Sequence, residues 1–146
     1  MLEVLLPHMK RLETVSLPLL NTACERAMPN IEIMKLLVNL GVNIDAQDEE
    51  VKYHNIYRPN TPTLLTALHI LATGKYWWYL KALTLLLEAR ANPDIQKGNG
   101  ETPLCTALHG TGFWADQCAF ILLEYGVNVN LIVPKTSLTP LNIAIE

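Results

Sequence analysis

Two blocks of sequence recur in the same order along this chain, and that repetition narrows the folds open to it. Thr66-Ala67-Leu68-His69 returns unchanged as Thr106-Ala107-Leu108-His109, with weaker echoes at Leu20-Asn21-Thr22-Ala23 and at Pro140-Leu141-Asn142-Ile143-Ala144. A proline and a leucine precede each identical string, Pro62 and Leu64 in one copy and Pro103 and Leu104 in the other. Anchored on the alanine, the copies fall at 23, 67, 107 and 144, in steps of 44, 40 and 37 residues. A second block trails the first each time: Leu36 to Asp45, Leu85 to Asp94, and Ile121 to Asn130. A period of this length marks a stacked architecture, in which each unit shelters the apolar flank of the next.

Each block has a physical reading. Thr102-Pro103 and Thr139-Pro140 are helix starts, because a threonine hydroxyl accepts from a free first-turn amide and proline loses no needed donor at the first helical position. The short apolar helix that follows runs about two turns. The second block is a longer amphipathic helix: Ile31, Met34, Leu37 and Val38 share one face, with Asn30 as its N-cap and Asp116 as the N-cap of the third copy. Gly41 and Gly126 stand where a left-handed C-terminal cap is wanted. Arg90 holds that place in the second copy, at a cost of about 1 kcal/mol if the backbone there is left-handed. The Asn-x-Asp or Asn-x-Asn that follows is turn chemistry, and Gly98-Asn99-Gly100 predicts a tight hairpin tip. Each unit is therefore helix, turn, longer helix, loop.

Composition excludes several classes of function. The chain has 146 residues, half of them hydrophobic and 17% charged, as expected of a globular domain. Its net charge is −3 and its densest basic stretch, Lys10-Arg11, is followed closely by Glu13, so nothing draws it electrostatically to nucleic acid or an anionic membrane. Cys24, Cys105 and Cys118 are odd in number and widely spaced, which argues against a disulfide framework or a zinc ribbon. The most apolar stretch, Trp77 to Leu87, is too short to span a bilayer, contains Lys81 and is closed by Glu88. No basic leader precedes the apolar residues of Met1 to Leu6, so a secretory signal is not expected. Cytosol or nucleus follows as the expected location.

Candidate chemistry is sparse. His69 and His109 recur at the same place in the repeated string, about 10 Å apart if the units stack, with Cys105 near. Two metal ligands are one reading. The better one has both histidines closing short helices and satisfying free carbonyls. Cys105 or Cys118 with His109 as base would make a thiolate pair, but both cysteines lie on apolar helical faces and read as packed and inert. Ser16 and Ser137 lie outside any nucleophile-elbow motif. Glu49-Glu50 reads as a solvated corner. The glycines at 98 and 100 lack the lysine and strand-to-helix frame of a phosphate loop. No catalytic residue, metal, cofactor or small-molecule substrate is expected.

The run from Gly100 to Leu108, the run from Leu122 to Asn130 and their partners resemble ankyrin repeats, over residues 16–146. The resemblance implies an all-α, helix-turn-helix solenoid with extended finger loops, forming one domain over 1–146. Residues 1–15 would be a capping helix or partial repeat, broken by Pro7. Repeats would span 16–48, 61–97 and 100–133, with a partial repeat at 138–146. The family usually places a histidine two residues after the proline; here those places hold Cys105, Asn142 and, in the second unit, Leu65, and Pro18 and Pro62 are displaced by one residue. Steps above the family's usual 33 residues imply insertions. One, at 49–60, lengthens a connector, and one, at 72–79, lengthens the turn between two helices. The last short helix lacks its longer partner, which leaves Leu141, Ile143 and Ile145 partly uncovered and suggests a piece of a longer array.

The function so implied is non-enzymatic: a scaffold that binds another protein through its fingers and the concave helix face. The alternative is a structural spacer or regulatory segment of a larger protein. Candidate contacts are Tyr53, His54, Tyr57 and Arg58 in the long connector. Trp77 and Trp78 join them from the run Tyr76 to Tyr79, where four consecutive aromatics cannot all face a core. The fingertip residues Gln96, Lys97 and Asn99 are expected to face solvent.

Overall fold

A computed structural model of the chain describes residues 19–25, 28, 30–48 and 64–145. Among these residues the structure is helical, with no strand and seven helices. Four are short: α1 (Leu19–Glu25), α3 (Ala67–Ala72), α5 (Pro103–Leu108) and α7 (Pro140–Ile145). Three are longer: α2 (Ile31–Asn39), α4 (Trp78–Glu88) and α6 (Phe113–Glu124). Each short helix packs on the next short one, α2, α4 and α6 pack in succession, and the pairs α1/α2, α3/α4 and α5/α6 close on themselves. Between the two rows lies the core, where Leu20, Met34, Leu68, Leu71, Leu83, Leu86 and Leu122 are fully buried.

The local chemistry explains these boundaries. Asn30 caps α2, its side-chain oxygen accepting from Glu32 N and Ile33 N. Thr102 caps α5 by accepting from Cys105 N, with Pro103 at the first helical position. In α2, Met34 is buried, while Ile31, Leu37 and Val38 pack half-buried against the core, the face expected from their spacing. The helix ends also match expectation, with left-handed backbone at Gly41 (φ 74°), Arg90 (φ 67°) and Gly126 (φ 76°). Arginine is the outlier of the three. Replacing Arg90 with glycine is expected to raise stability by about 1 kcal/mol. A urea midpoint shifted upward at unchanged slope would show it.

After each longer helix the chain folds a finger closed by one backbone pair. Asp48 N–H donates to Leu65 O at 2.8 Å and Leu64 N–H to Asp48 O at 3.0 Å. Lys97 pairs the same way with Glu101 and Gly100, and Val133 with Leu138 and Ser137. The residue before each closing position is left-handed: Leu64 (φ 48°), Gly100 (φ 89°) and Ser137 (φ 57°). Three residues separate the pair in the second finger, four in the third and 16 in the first, so the first finger is the enlarged one. Its residues 49–63, and the expected capping segment 1–15, lie outside the described residues.

These landmarks correct the repeat register. The helix-capping threonines are Thr66, Thr102 and Thr139, spaced 36 and 37 residues apart. Thr66 to His69 therefore matches Thr102 to Cys105 and Thr139 to Asn142, not the identical string Thr106 to His109. That second string forms the last turn of α5, where the Thr106 hydroxyl bonds back to Thr102 O and His109 is the C-cap. The second-unit residue at the place of Cys105 and Asn142 is His69 rather than Leu65. Three further expectations change. Helix α6 starts at Phe113 behind Gly112, whose carbonyl accepts from Ala115 and Asp116 N–H, so Asp116 sits inside the first turn. Only 73–77 connects α3 to α4, since Ala72 belongs to α3 and Trp78 and Tyr79 to α4. Ile143 is buried against Cys105 and Val133, which leaves Leu141 and Ile145 as the uncovered pair.

Three sets of cross-unit hydrogen bonds hold the stack in this register. The first joins the third residue of a short helix to the carbonyl that closes the next finger. Asn21 Nδ2 donates to Leu65 O at 2.8 Å, and His69 Nε2 meets Glu101 O at 3.0 Å. Cys105 holds the place in the third unit and packs on Val133, so that join is apolar. The second runs through the turns after the longer helices. Asp45 Oδ1 accepts from Asn92 N at 2.9 Å and Asp94 Oδ1 from Asn128 N at 2.8 Å. Asn43, Asn92 and Asn128 each accept from the amide two residues on. In the third, Gln47 Nε2 donates to Leu64 O and Gln96 O, and Gln96 Nε2 to Ile132 O.

Candidate functional site

Helices α4 and α6 begin on aromatic pairs at matching positions. Gly126 and its second-unit counterpart Arg90 stand 36 residues apart, and the same offset aligns Phe113-Trp114 with Trp77-Trp78. Within the first group Tyr76 stacks on Trp78 with ring centroids 4.8 Å apart, and Tyr79 and Trp77 meet Tyr76 and Trp78 edge-on. Phe113 and Trp114 form an edge-to-face pair at 4.9 Å. Lys75 Nζ lies 5.6 Å from the Tyr76 ring centroid. Tyr79 alone is drawn into the core, Trp78 is half-buried, and Trp77, Phe113 and Trp114 are exposed. Neighbouring helical side chains point about 100° apart. A four-residue aromatic run therefore splits between core and surface as expected.

The buried Trp78 Nε1 has no hydrogen-bond partner among the described residues. An indole N–H is usually satisfied when buried, because losing water without a replacement costs about 1–3 kcal/mol. Among the described residues the apolar stack thus carries one unmet donor.

The fingertip expectation is corrected. Gln96, Lys97 and Asn99 are half-buried rather than solvent-facing, because each spends its polar atoms inside the molecule. Gln96 bridges fingers, as above. Lys97 Nζ pairs with Glu101 Oε2 at 2.7 Å and donates to the Thr106 hydroxyl at 3.2 Å. Asn99 Oδ1 accepts from Glu101 N at 3.1 Å within the tight turn. Burial raises the Glu101 pKa, but the hydrogen bonds from Lys97 and Asn99 and the Lys97 charge outweigh it and hold the carboxyl below its ordinary range. Tyr53, His54, Tyr57 and Arg58 lie outside the described residues. The structure therefore brings Trp77 and Trp78 together on one end of the helix rows, with Gln96, Lys97 and Asn99 in the second finger. Sequence reading missed Phe113 and Trp114, although the matching place before the third longer helix was visible.

The groups considered for chemistry have structural duties. His69 is fully buried and sits at the third position of α3 rather than its end. Its Nδ1 accepts from the Thr66 hydroxyl at 2.9 Å and lies 3.3 Å from Thr66 N, so Nε2 carries the proton that Glu101 O receives. Burial pushes its pKa down to about 4. His109 caps the other end of α5, with Nδ1 3.7 Å from Glu101 Oε1. Burial pushes the Cys24 and Cys118 thiols up to about 12. Cys118 Sγ donates to Leu71 O, and Cys105 Sγ accepts from the Thr102 hydroxyl. Among the described residues no three His, Cys, Asp or Glu side chains are grouped to hold a metal ion. No helix among them is long and apolar enough to cross a membrane. No protein-family model and no curated protein matches this chain.

Proposed function

We propose that this chain is an ankyrin-like solenoid that works as a non-catalytic protein-interaction module in the cytosol or nucleus. The supporting observation is the threefold recurrence of one unit, in which a short helix, a longer helix, a left-handed turn and a closed finger are joined to the next unit by side chains at fixed places. Such a stack holds surface residues in place before a partner arrives, which lowers the ordering cost of binding. Its offered residues are those of the enlarged first finger, Tyr53, His54, Tyr57 and Arg58, and, as a separate patch, the aromatic starts of α4 and α6. Tyrosine, tryptophan and arginine are the side chains that most often anchor protein interfaces. The partner is a protein rather than nucleic acid, membrane or small molecule, given the net charge of −3 and the lack of a basic stripe.

Crosslinking in cells followed by identification of the captured protein tests this reading. Tyr57→Ala with Arg58→Ala is expected to leave the circular dichroism spectrum and urea midpoint unchanged and to reduce capture at least tenfold. If that pair changes nothing while Trp77→Ala abolishes capture, the aromatic end is the contact and the finger is not.

A further inference from the structure

We infer that Asn99 is a site of spontaneous covalent modification, where attack by the Gly100 backbone nitrogen converts the side-chain amide to a carboxylate, and that the closed second finger holds this conversion back. The sequence singles the position out. The chain has 11 asparagines, and all but Asn99 are followed by threonine, isoleucine, leucine, valine or proline. A branched side chain crowds the approach of the following nitrogen to the asparagine Cγ, and a proline nitrogen has no proton to give up. Asn99 alone is followed by glycine, which has no Cβ to block that approach and turns most freely about its backbone bonds.

The conversion needs neither enzyme nor oxidant. Gly100 N gives up its proton and bonds to Asn99 Cγ, closing a cyclic imide, and the side-chain nitrogen leaves with that proton as ammonia. Water then opens the imide on one side or the other. Opening at Cγ leaves aspartate. Opening at the Asn99 main-chain carbonyl leaves isoaspartate, whose main chain runs through Cβ and Cγ and is one carbon longer. In the finger the nucleophile is tied. Gly100 N–H donates to Lys97 O at 2.7 Å, and a peptide nitrogen, its lone pair shared with its carbonyl, attacks only after that proton is lost. The electrophile is held as well: Asn99 Oδ1 accepts from Glu101 N at 3.1 Å, and the side-chain nitrogen donates to the Glu101 carboxylate. A Cβ added at Gly100 would collide with the Pro134 ring, so the third finger presses on the same turn. Reaction therefore waits on local opening of the tip. Once isoaspartate forms, the longer main chain cannot keep Gly100 N on Lys97 O together with Lys97 N on Glu101 O. Glu101 O is also the acceptor of His69 Nε2, so one irreversible event at the tip loosens the joint between the second and third units.

The test follows the full chain by mass spectrometry during incubation in mildly alkaline buffer, folded and in concentrated guanidinium chloride, with fragmentation to locate the change. The mass gain of amide-to-acid conversion is expected at Asn99 in both, at least tenfold slower in the folded chain. An isoaspartate-specific methyltransferase is expected to label the product. Asn99→Gln, whose imide ring would have to be one atom larger, is expected to remove the gain. The isoaspartyl chain, isolated by chromatography, is expected to have a urea midpoint below those of the parent and of Asn99→Asp, which carries the same charge on a main chain of ordinary length. No gain at Asn99 in the unfolded chain, or a gain that Asn99→Gln leaves in place, overturns the site. Equal rates in the folded and unfolded chains overturn the restraint by the finger. An isoaspartyl midpoint equal to that of Asn99→Asp overturns the effect on the joint.

Discussion

Lowering the pH from 6.5 to about 5 is expected to remove about 2 kcal/mol of folding free energy through His69 alone. In the folded chain burial holds its pKa near 4, against an ordinary value of 6.5. The sign follows from which state takes the proton. Below pH 6.5 the unfolded chain binds it and the folded chain does not, so the stability is fully present above 6.5 and is lost as the pH falls toward 4. Protonation also ruins the site, since Nδ1 is an acceptor for Thr66 and Nε2 already donates to Glu101 O. Carboxylates add their own losses below about pH 4.5, so the diagnostic window lies above that.

The control for this prediction is written into the chain. Asn142 holds the matching place and accepts from Thr139 N and its hydroxyl, and Asn21 holds it in the first unit and donates across to Leu65 O. Asparagine can therefore make both bonds of His69 without titrating. In urea unfolding at several pH values, His69→Asn is expected to flatten the slope between pH 6.5 and 5. An unchanged slope would mean that His69 is not the buried neutral group described here. Asn21 also shows what a poor cap costs: its Oδ1 is buried with no partner among the described residues, and three residues before it in sequence stands Pro18, which has neither N–H nor hydroxyl.

The second repeated block was readable because its signals are backbone demands. Left-handed φ at Gly41, Arg90 and Gly126, and the Asn-x-Asp turns after them, follow from local chemistry that sequence displays directly. The first block misled because string identity is not position. Thr-Ala-Leu-His starts α3 at 66, where a threonine cap and a bonding third residue define the place. Four residues into α5 the same letters serve as interior helix and C-cap. The better signal was functional equivalence at the third helical position, where His69, Cys105 and Asn142 differ in type but share a location. The fingertips were misjudged for a related reason: polar residues in a loop were taken to face water, yet Gln96 and Lys97 bond across the structure. Phe113 and Trp114 were hidden because no inserted run drew attention to them.

Replacing Gly74 with alanine is expected to destabilise the chain by about 2–5 kcal/mol, well above the cost of the same change at Gly41. Both positions are left-handed, at φ 58° and 74°. That conformation alone costs an alanine about 1–2 kcal/mol. At Gly41 nothing among the described residues stands within 4 Å of an added Cβ, so the backbone term is the effect expected there. At Gly74 the added carbon would lie 2.3 Å from the Cα and N of Ala115 and 2.6 Å from the Trp114 carbonyl carbon. Those are backbone atoms of the α6 first turn and cannot rotate aside, so overpacking adds about 1–3 kcal/mol. Gly110, one unit on, faces Ala115 from the other side, with an added Cβ 2.5 Å from the Ala115 Cβ. The start of α6 is thus wedged between two glycine turns, and this wedge fixes the first turn that carries Phe113 and Trp114. Urea midpoints for Gly74→Ala and Gly41→Ala decide the matter. Equal losses would mean that the 73–77 turn is not pressed against the first turn of α6.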